Sequence, residues 1–252
     1  PTGAFKIRGG LVYIDDFAQR NPDAAGVICA TRGNHGQSVA LAARARGVKA
    51  VIVAPLGNSP AKNKAMRAYG AELIEHGDDF NAALDHAVAL ADSRGLHMMG
   101  SYDDLLVRGV ASYSLELLAA APGLDALYVP IGLGSGVCGA IAARDALNRK
   151  TSIVGVVSEN AAAYALSFEA QKPVSTNSAD TFADGMAVRV PNPDALDVIL
   201  AGVERIVTVS DAQILAAMGD YFDDTHNIAE GAGAAPLAAL FKDRDAMAGK
   251  SA

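Results

Sequence analysis

A lysine near the start of the chain, Lys6, has a sequence context that could support chemistry. It follows a Pro-Thr-Gly turn and an aromatic residue, Phe5, and it precedes an apolar run. This pattern predicts that a helix begins close to Lys6. The positive end of a helix dipole disfavours a cation, so the lysine amine would lose its proton more readily and could form a Schiff base. A solvated surface lysine is the alternative that these residues leave open.

A polar loop over residues 30–37 reads Ala-Thr-Arg-Gly-Asn-His-Gly-Gln and joins an expected strand to an expected helix. Backbone amides at the start of that helix, together with the Asn34 side chain, would favour a carboxylate or a phenolate oxygen. The alternative is an ordinary polar loop in which Asn34 caps the helix.

A second loop, residues 130–139, contains four glycines and also joins a strand to a helix. Glycines let backbone amides approach a phosphate group closely, and Ser135 could add a hydroxyl. The spacing Gly134-x-Gly136-x-x-Gly139, with Glu159 after the next strand, also matches the outline of a dinucleotide-binding fingerprint. A nicotinamide oxidoreductase is therefore a competing interpretation, but it gives Lys6 no role. An aldehyde cofactor that carries a phosphate accounts for both loops and the lysine.

Two further segments of small residues, 183–187 and 229–234, each carry one acidic residue. We expect Asp184 to serve a turn. We expect Glu230 to line a cleft, because its small neighbours permit close approach.

The elements that position these residues follow from an alternation of short apolar runs with longer amphipathic runs. Strands are expected over 27–30, 49–53, 71–74, 127–131 and 153–157, and helices over 36–46, 60–69, 79–93, 105–120, 137–148, 195–201, 212–222 and 235–241. This alternation predicts an α/β fold with two open, mostly parallel three-layer α/β/α lobes and a ligand cleft. We expect residues 1–26 and 109–252 to form a large lobe, and 27–108 to form a small mobile lobe.

Composition narrows the classes of function. A hydrophobic content of 51% with 19% charged residues is typical of a globular protein. The net charge of −7 and the absence of a basic stripe argue against nucleic acid and anionic membranes as partners. No signal peptide or membrane-spanning run is present, and Cys29 and Cys138 lack CxxC spacing. A cytoplasmic protein with reduced thiols is expected. Because the chain begins inside a motif and stops where a strand is expected to start, we also expect sequence to be missing at both ends.

Five phrases, in this order, resemble the serine/threonine dehydratase branch of the fold-type II pyridoxal-phosphate enzymes, which includes serine racemase and shares the fold of tryptophan synthase β. The phrases are residues 1–9 (PTGAFKIRG), 32–37 (RGNHGQ), 132–136 (GLGSG), 181–185 (TFADG) and 230–234 (EGAGA). The resemblance implies pyridoxal 5′-phosphate as cofactor and a small amino acid as substrate. It implies a β-elimination that converts L-threonine, L-serine or 3-hydroxyaspartate to a 2-oxo acid and ammonia, in a homodimer or higher homo-oligomer.

The resemblance also implies roles for individual residues. Lys6 would bind the cofactor covalently and later remove the Cα proton, which makes it the catalytic residue. Cofactor contacts would come from Phe5, Lys6, Asn34, Gly132, Leu133, Gly134, Ser135, Gly136 and Glu230. Substrate contacts would come from Thr31, Arg32, Gly33, Asn34 and His35. A pyridoxal-phosphate β-replacement synthase, and a cofactor-binding protein without turnover, remain alternatives.

Some positions depart from the family pattern. The glycine loop reads Gly-Leu-Gly-Ser-Gly rather than a run of glycines. The divalent-cation site of the family would use Glu159, the carbonyl of Ala163 and a carboxylate at the position of Ala165. Because the last carboxylate is missing, we do not expect a metal. The hydroxyl partner of the pyridine nitrogen is not expected to be Ser251.

Arg32 is the most informative departure, because the racemase has a serine base at this position. Racemisation is therefore not expected. An arginine here could form a bidentate pair with a second carboxylate, which would favour a 3-hydroxyaspartate-like substrate. The alternatives are an Arg32 side chain in solvent, or an ion pair with Asp103 or Asp104.

Overall fold

The computed structural model describes residues 2–252. The chain divides into two compact units, of which the first extends to Val110 and the second runs from Ala111 to Ala252. Helix α5 (Asp104–Ala120) carries the chain from one unit into the other. The predicted lobes, 1–26 with 109–252 and 27–108, stay a prediction; in the structure residues 2–26 share the first unit with 27–110.

The first unit is built on a four-stranded parallel sheet. In chain order and before α5, its helices and strands are α1 (Lys6–Arg20), β1 (Val27–Ala30), α2 (Asn34–Arg46), β2 (Ala50–Ala54), α3 (Pro60–Ala68), β3 (Glu72–Glu75), α4 (Phe80–Arg94) and β4 (His97–Met98). The strand order is β3-β2-β1-β4, and Val27 pairs with both Ala50 and His97. Every residue of β1 and β2 is buried, because helices cover both faces of a parallel sheet.

Helices α1 and α2 pack closely, and this packing positions Lys6. A Cβ added at Gly10 of α1 would overlap the Ser38 hydroxyl of α2, so only glycine permits this approach. Ile14 and Phe17 from α1 join Val39 and Ala43 from α2 in one apolar core. Burying a side chain of the size of isoleucine or phenylalanine contributes about 1.5–3 kcal/mol.

The second unit is built on a three-stranded parallel sheet in the order β5-β6-β7. Its elements are β5 (Ala126–Pro130), α6 (Ser135–Ala146), β6 (Ser152–Ser158), a 3₁₀ turn (Glu159–Ala161), α7 (Ala163–Ala170), a second 3₁₀ turn (Asp184–Met186), α8 (Pro193–Gly202), β7 (Arg205–Val209), α9 (Asp211–Thr225) and α10 (Gly231–Lys242). Leu127 pairs with Ile153, and Gly155 pairs with Ile206. The core between the sheet and α10 contains Val154, Val207 and Ala235.

All of the expected strands and helices are found, but the structure adds elements and moves some bounds. Strand β4 is two residues long, which is too short for a periodic signal, and α7 was not anticipated. Strand β7 was missed because it begins with Arg205 and because Thr208 interrupts its apolar run, although its β-branched residues indicated a strand. Helix α10 begins at Gly231 rather than near residue 235 and contains Pro236, so the small residues 231–234 are helical and not a loop.

Within residues 2–252, no helix is both long enough and apolar enough to cross a membrane.

Candidate functional site

Each unit carries part of the predicted site. In the first unit Lys6 is the first residue of α1, as its sequence context predicted. Its Nζ lies 5.0 Å from the centroid of the Phe5 ring, a cation–π geometry. The Ser38 hydroxyl of α2 donates to the Lys6 carbonyl oxygen at 2.6 Å. The backbone of Lys6 is therefore fixed to the second turn of α2, and the sequence alone did not single out Ser38.

The loop between β1 and α2 places no side-chain cap on the start of α2. The amide of Thr31 donates to the Val53 carbonyl at 3.0 Å, and the Gly33 amide donates to Thr31 Oγ1 at 3.1 Å. Gly33 occupies the N-cap position and offers no side-chain cap, and the first turn of α2 contains no acidic residue. Asn34 is the first helical residue, so the alternative in which it caps the helix is wrong. The positive end of this helix therefore favours a carboxylate nearby.

His35 brings a buried nitrogen to the same helix start. Its side chain is 6% exposed, and its Nε2 has no hydrogen-bond partner among residues 2–252. Burial, reinforced by the positive charge of Lys6, lowers the pKa of His35 to about 3. The imidazole is therefore neutral at physiological pH. A buried, unpaired nitrogen of this kind is commonly satisfied by a bound molecule.

Arg32 is the exposed member of this loop, between buried Thr31 and Gly33. Its guanidinium makes no hydrogen bond or ion pair with any residue in the range 2–252, so the expected alternative of a bridge to Asp103 or Asp104 is not formed. Asp103 instead accepts a hydrogen bond from the Leu105 amide at 2.8 Å.

Lys62 is a residue of this loop region that sequence reasoning missed. A Cβ added at Gly33 would lie 2.7 Å from Lys62 Cδ and 3.2 Å from its Nζ, so the lysine side chain lies across Gly33. Lys62 belongs to the first turn of α3, where the helix dipole disfavours a cation. A lysine in the first turn of a helix, as at Lys6 and Lys62, is the sequence pattern that could have indicated a functional role for Lys62.

In the second unit, the glycine loop between β5 and α6 has the form of an anion cradle. Gly134 is the N-cap of α6 with φ of 106°, and a Cβ there would lie 2.6 Å from the Ala195 Cβ. A Cβ at Gly132 would overlap the carbonyl oxygen of Gly185. Ser135, the first residue of the helix, is buried. The glycines are therefore required by geometry, and they present the loop and the helix start without Cβ atoms.

Tyr164 is hydrogen-bonded to this loop, and no sequence pattern predicted that contact. Its hydroxyl donates to the Leu133 carbonyl at 3.0 Å and accepts from the Asn192 amide at 3.0 Å. The side chain is buried, and burial raises its pKa. A tyrosine that stays protonated keeps its donor for the loop carbonyl.

The two small-residue segments meet each other beside the glycine loop. A Cβ at Gly185 would lie 2.9 Å from the Ala232 Cβ and 4.0 Å from Glu230 Oε1, and a Cβ at Gly231 would lie 2.8 Å from the Phe182 ring. Asp184 begins a 3₁₀ turn, which is consistent with the expected turn role. Glu230 is the N-cap of α10 and makes no side-chain cap. Three phrases that lie far apart in the sequence are thus adjacent in one unit.

The positions of the family's cation site offer one side-chain ligand, the Glu159 carboxylate. Glu159 is exposed in the turn after β6, Ala163 is buried at the start of α7, and Ala165 has no ligand atom in its side chain. In the part of the chain that the structure describes, no three His, Cys, Asp or Glu residues are placed to hold a metal.

Ser251 is bound to the segment that precedes β5. Its hydroxyl donates to the Gly123 carbonyl at 2.8 Å, and its backbone carbonyl accepts from the Asp125 amide at 3.0 Å.

Comparison with known proteins identifies the family. The model of the family described as pyridoxal-phosphate dependent enzyme matches residues 1–252. A biosynthetic L-threonine dehydratase from Pasteurella multocida is 33% identical over 243 residues, covering 96% of this chain and 47% of the relative. A catabolic L-threonine dehydratase from Staphylococcus aureus is 34% identical over 244 residues, covering 96% of this chain and 70% of the relative.

The solved structure of processed threonine deaminase isoform 2 from Solanum lycopersicum superposes with a TM-score of 0.92 at 29% identity, over 99% of this chain and 73% of that one. This similarity supports the expected fold-type II architecture, in which parallel sheets are covered by helices. The glycine loop, the open start of α2 and the lysine at the start of α1 agree with this assignment, and the chain belongs to the family of pyridoxal-phosphate dependent enzymes.

Proposed function

We propose that the protein catalyses a β-elimination on a β-hydroxy amino acid, such as L-threonine, L-serine or 3-hydroxyaspartate, to give a 2-oxo acid and ammonia. The observation that carries the proposal lies in the first unit. The Ser38 hydroxyl on α2 is hydrogen-bonded to the Lys6 carbonyl. This bond fixes Lys6 to the helix that begins with Asn34 and His35 and has no side-chain cap. The two relatives named threonine dehydratase support elimination rather than β-replacement or binding without turnover.

The residues of the chain fit the family's cofactor. The phosphate group would be held by the amides of residues 132–136 and by the Ser135 hydroxyl, since Cβ atoms at Gly132 and Gly134 would collide with Gly185 and Ala195. Lys6 would bind the aldehyde carbon, and Phe5 and Asn34 would contact the ring. Glu230, directed toward Gly185, would be the acidic contact. When bound, pyridoxal phosphate supplies an electron-withdrawing ring that stabilises negative charge on the substrate Cα. A nicotinamide cofactor, the competing interpretation of the same glycines, does not agree with the family match.

The side chains of the first unit account for the remaining chemistry. The amides at the start of α2, with Thr31, would bind the substrate α-carboxylate, and Lys6 would accept the Cα proton. Neutral His35 would hydrogen-bond the substrate without adding charge. The Cα–H and Cβ–O bonds break, and the hydroxyl leaves with a proton as water. One water then hydrolyses the released enamine, after it tautomerises to an imine, to the 2-oxo acid and ammonia.

A cytoplasmic location and a homodimer or higher homo-oligomer stay predictions. The absence of a CxxC pattern supports the first, and size-exclusion chromatography with light scattering would test the second.

The proposed activity is tested with a Lys6→Ala variant and a matched control, Lys64→Ala, which removes an exposed lysine on α3. We expect the purified protein and the control to show the visible absorption of lysine-bound pyridoxal phosphate and to release 2-oxo acid and ammonia from a β-hydroxy amino acid. Lys6→Ala should lose both signals while keeping the urea unfolding midpoint of the cofactor-free protein. If cofactor binds through Lys6 but no hydroxy amino acid is turned over, the protein is a binding protein or a β-replacement enzyme, and the proposal fails.

A further inference from the structure

Arg32 differs from several other arginines of the first unit. Arg20, Arg67 and Arg94, in the same unit, each form an ion pair with a carboxylate. Arg32 is exposed and makes no hydrogen bond or ion pair with any of the described residues 2–252. Its charge therefore has no structural use among these residues.

The backbone that carries Arg32 is nevertheless fixed on both sides. The preceding residue, Thr31, is buried and bonded through its amide to Val53, and the following amide, that of Gly33, is bonded to the Thr31 hydroxyl. The guanidinium therefore extends from a rigid point directly beside the N-cap of α2. A rigid origin is what a binding arginine needs, because less conformational entropy is lost when it pairs with a ligand.

No acidic side chain in the first turn of α2 or of α3 neutralises the positive charge at the start of α2. His35 is neutral. The helix dipole and Arg32 therefore produce positive potential at two neighbouring positions: the start of α2 and the guanidinium of residue 32. One carboxylate bound at the helix start would leave the guanidinium unneutralised.

We propose that Arg32 binds a second carboxylate, so that the preferred substrate is a β-hydroxy dicarboxylic amino acid of four carbons rather than serine or threonine. In 3-hydroxyaspartate the two carboxylates are separated by two carbon atoms, which suits adjacent binding positions on one short loop. Serine and threonine carry a hydrogen and a methyl group where this second carboxylate lies, and neither can pair with a guanidinium. The reaction is unchanged: the Cα–H and Cβ–O bonds break, and the products are oxaloacetate and ammonia. This inference rests on the proposed function.

The test compares the holoenzyme with Arg32→Gln and with Arg44→Gln. The control removes the same charge from an exposed arginine on α2, the helix that follows the loop, and the only side-chain hydrogen bond of Arg44 among residues 2–252 is a long one of 3.5 Å to the Ala68 carbonyl. We measure kcat/KM for both diastereomers of 3-hydroxyaspartate and for L-serine. We expect Arg32→Gln to lower the ratio of kcat/KM for 3-hydroxyaspartate over serine by about 10- to 100-fold, mainly through KM. Arg44→Gln should leave this ratio unchanged.

A binding measurement separates this inference from the proposed function. L-Aspartate has the second carboxylate but no hydroxyl to eliminate, and L-alanine has neither. By calorimetry, Arg32→Gln should weaken aspartate binding by about tenfold or more relative to alanine. Equal loss for both ligands, or a substrate ratio that does not change, overturns the role of Arg32 and leaves the elimination intact. Normal discrimination between aspartate and alanine without any turnover overturns the proposed function and leaves the role of Arg32 intact.

Discussion

Replacing Tyr164 with phenylalanine tests whether the glycine loop depends on the hydrogen bonds of the Tyr164 hydroxyl. The substitution removes one hydroxyl, which bridges the Leu133 carbonyl and the Asn192 amide at 3.0 Å each, and it keeps the buried ring. A net hydrogen bond contributes about 0.5–1.5 kcal/mol, and partners left without a bond add to the loss. Because two bonds are lost together, we expect the free energy of unfolding to fall by about 2–3 kcal/mol.

The same substitution should also weaken cofactor binding. Leu133 lies in the middle of the loop that would hold the phosphate, so a loop without its carbonyl anchor loses its preformed shape. We expect the Kd for pyridoxal phosphate to rise by about tenfold, which corresponds to about 1.4 kcal/mol. Urea denaturation of the cofactor-free protein measures the first effect, and fluorescence titration with pyridoxal phosphate measures the second.

Tyr221→Phe is the matched control for this experiment. Tyr221 is a partly buried tyrosine on α9 whose hydroxyl has no hydrogen bond to any of residues 2–252. Its loss should change stability by less than about 0.5 kcal/mol. If both variants lose the same stability, or if Tyr164→Phe leaves the cofactor Kd unchanged, the Tyr164 hydroxyl does not support the loop and the reasoning is refuted.

Two further predictions concern His35 and Gly134. The pKa of His35 is about 3 in the folded protein and 6.5 ordinarily. As pH falls, the His35 imidazole therefore binds a proton in the unfolded chain before it does so in the folded protein. The free energy of unfolding consequently decreases as pH falls below about 6.5. Against His35→Gln, the wild type should lose about 1.4 kcal/mol more per pH unit between about pH 6 and 4 in urea melts, and parallel profiles would contradict a buried neutral imidazole. Gly134→Ala combines φ of 106° with a Cβ contact of 2.6 Å to Ala195, so it should cost more unfolding free energy than Gly57→Ala, which has φ of 72° and open space. We expect a difference of about 1–3 kcal/mol in denaturation, and equal losses would show that the Ala195 contact does not require glycine.

Local patterns in the sequence predicted a large part of this protein. Continuous apolar runs predicted the buried strands β1, β2, β5 and β6, and the glycine spacing at 132–136 predicted a loop that opens a helix. Lys6 was predicted to begin a helix because turn residues, an aromatic residue and an apolar run are all signals within a few residues. Such features depend on neighbours in the chain, which is why they can be recognised without a structure.

Contacts between distant segments were decided only by the tertiary structure. Ser38 holds the Lys6 carbonyl, Tyr164 holds the Leu133 carbonyl, and Gly185 lies against Gly132, and no periodicity relates these partners. Likewise, the sequence left Arg32 with an internal ion pair as one alternative, and only the folded loop shows that its guanidinium has no partner among residues 2–252. The sequence determined which chemical groups are present and which elements carry them. The packing of those elements determined which groups are held rigidly, buried neutral or left available to a ligand, because these properties depend on atoms that are close in space and remote in the chain.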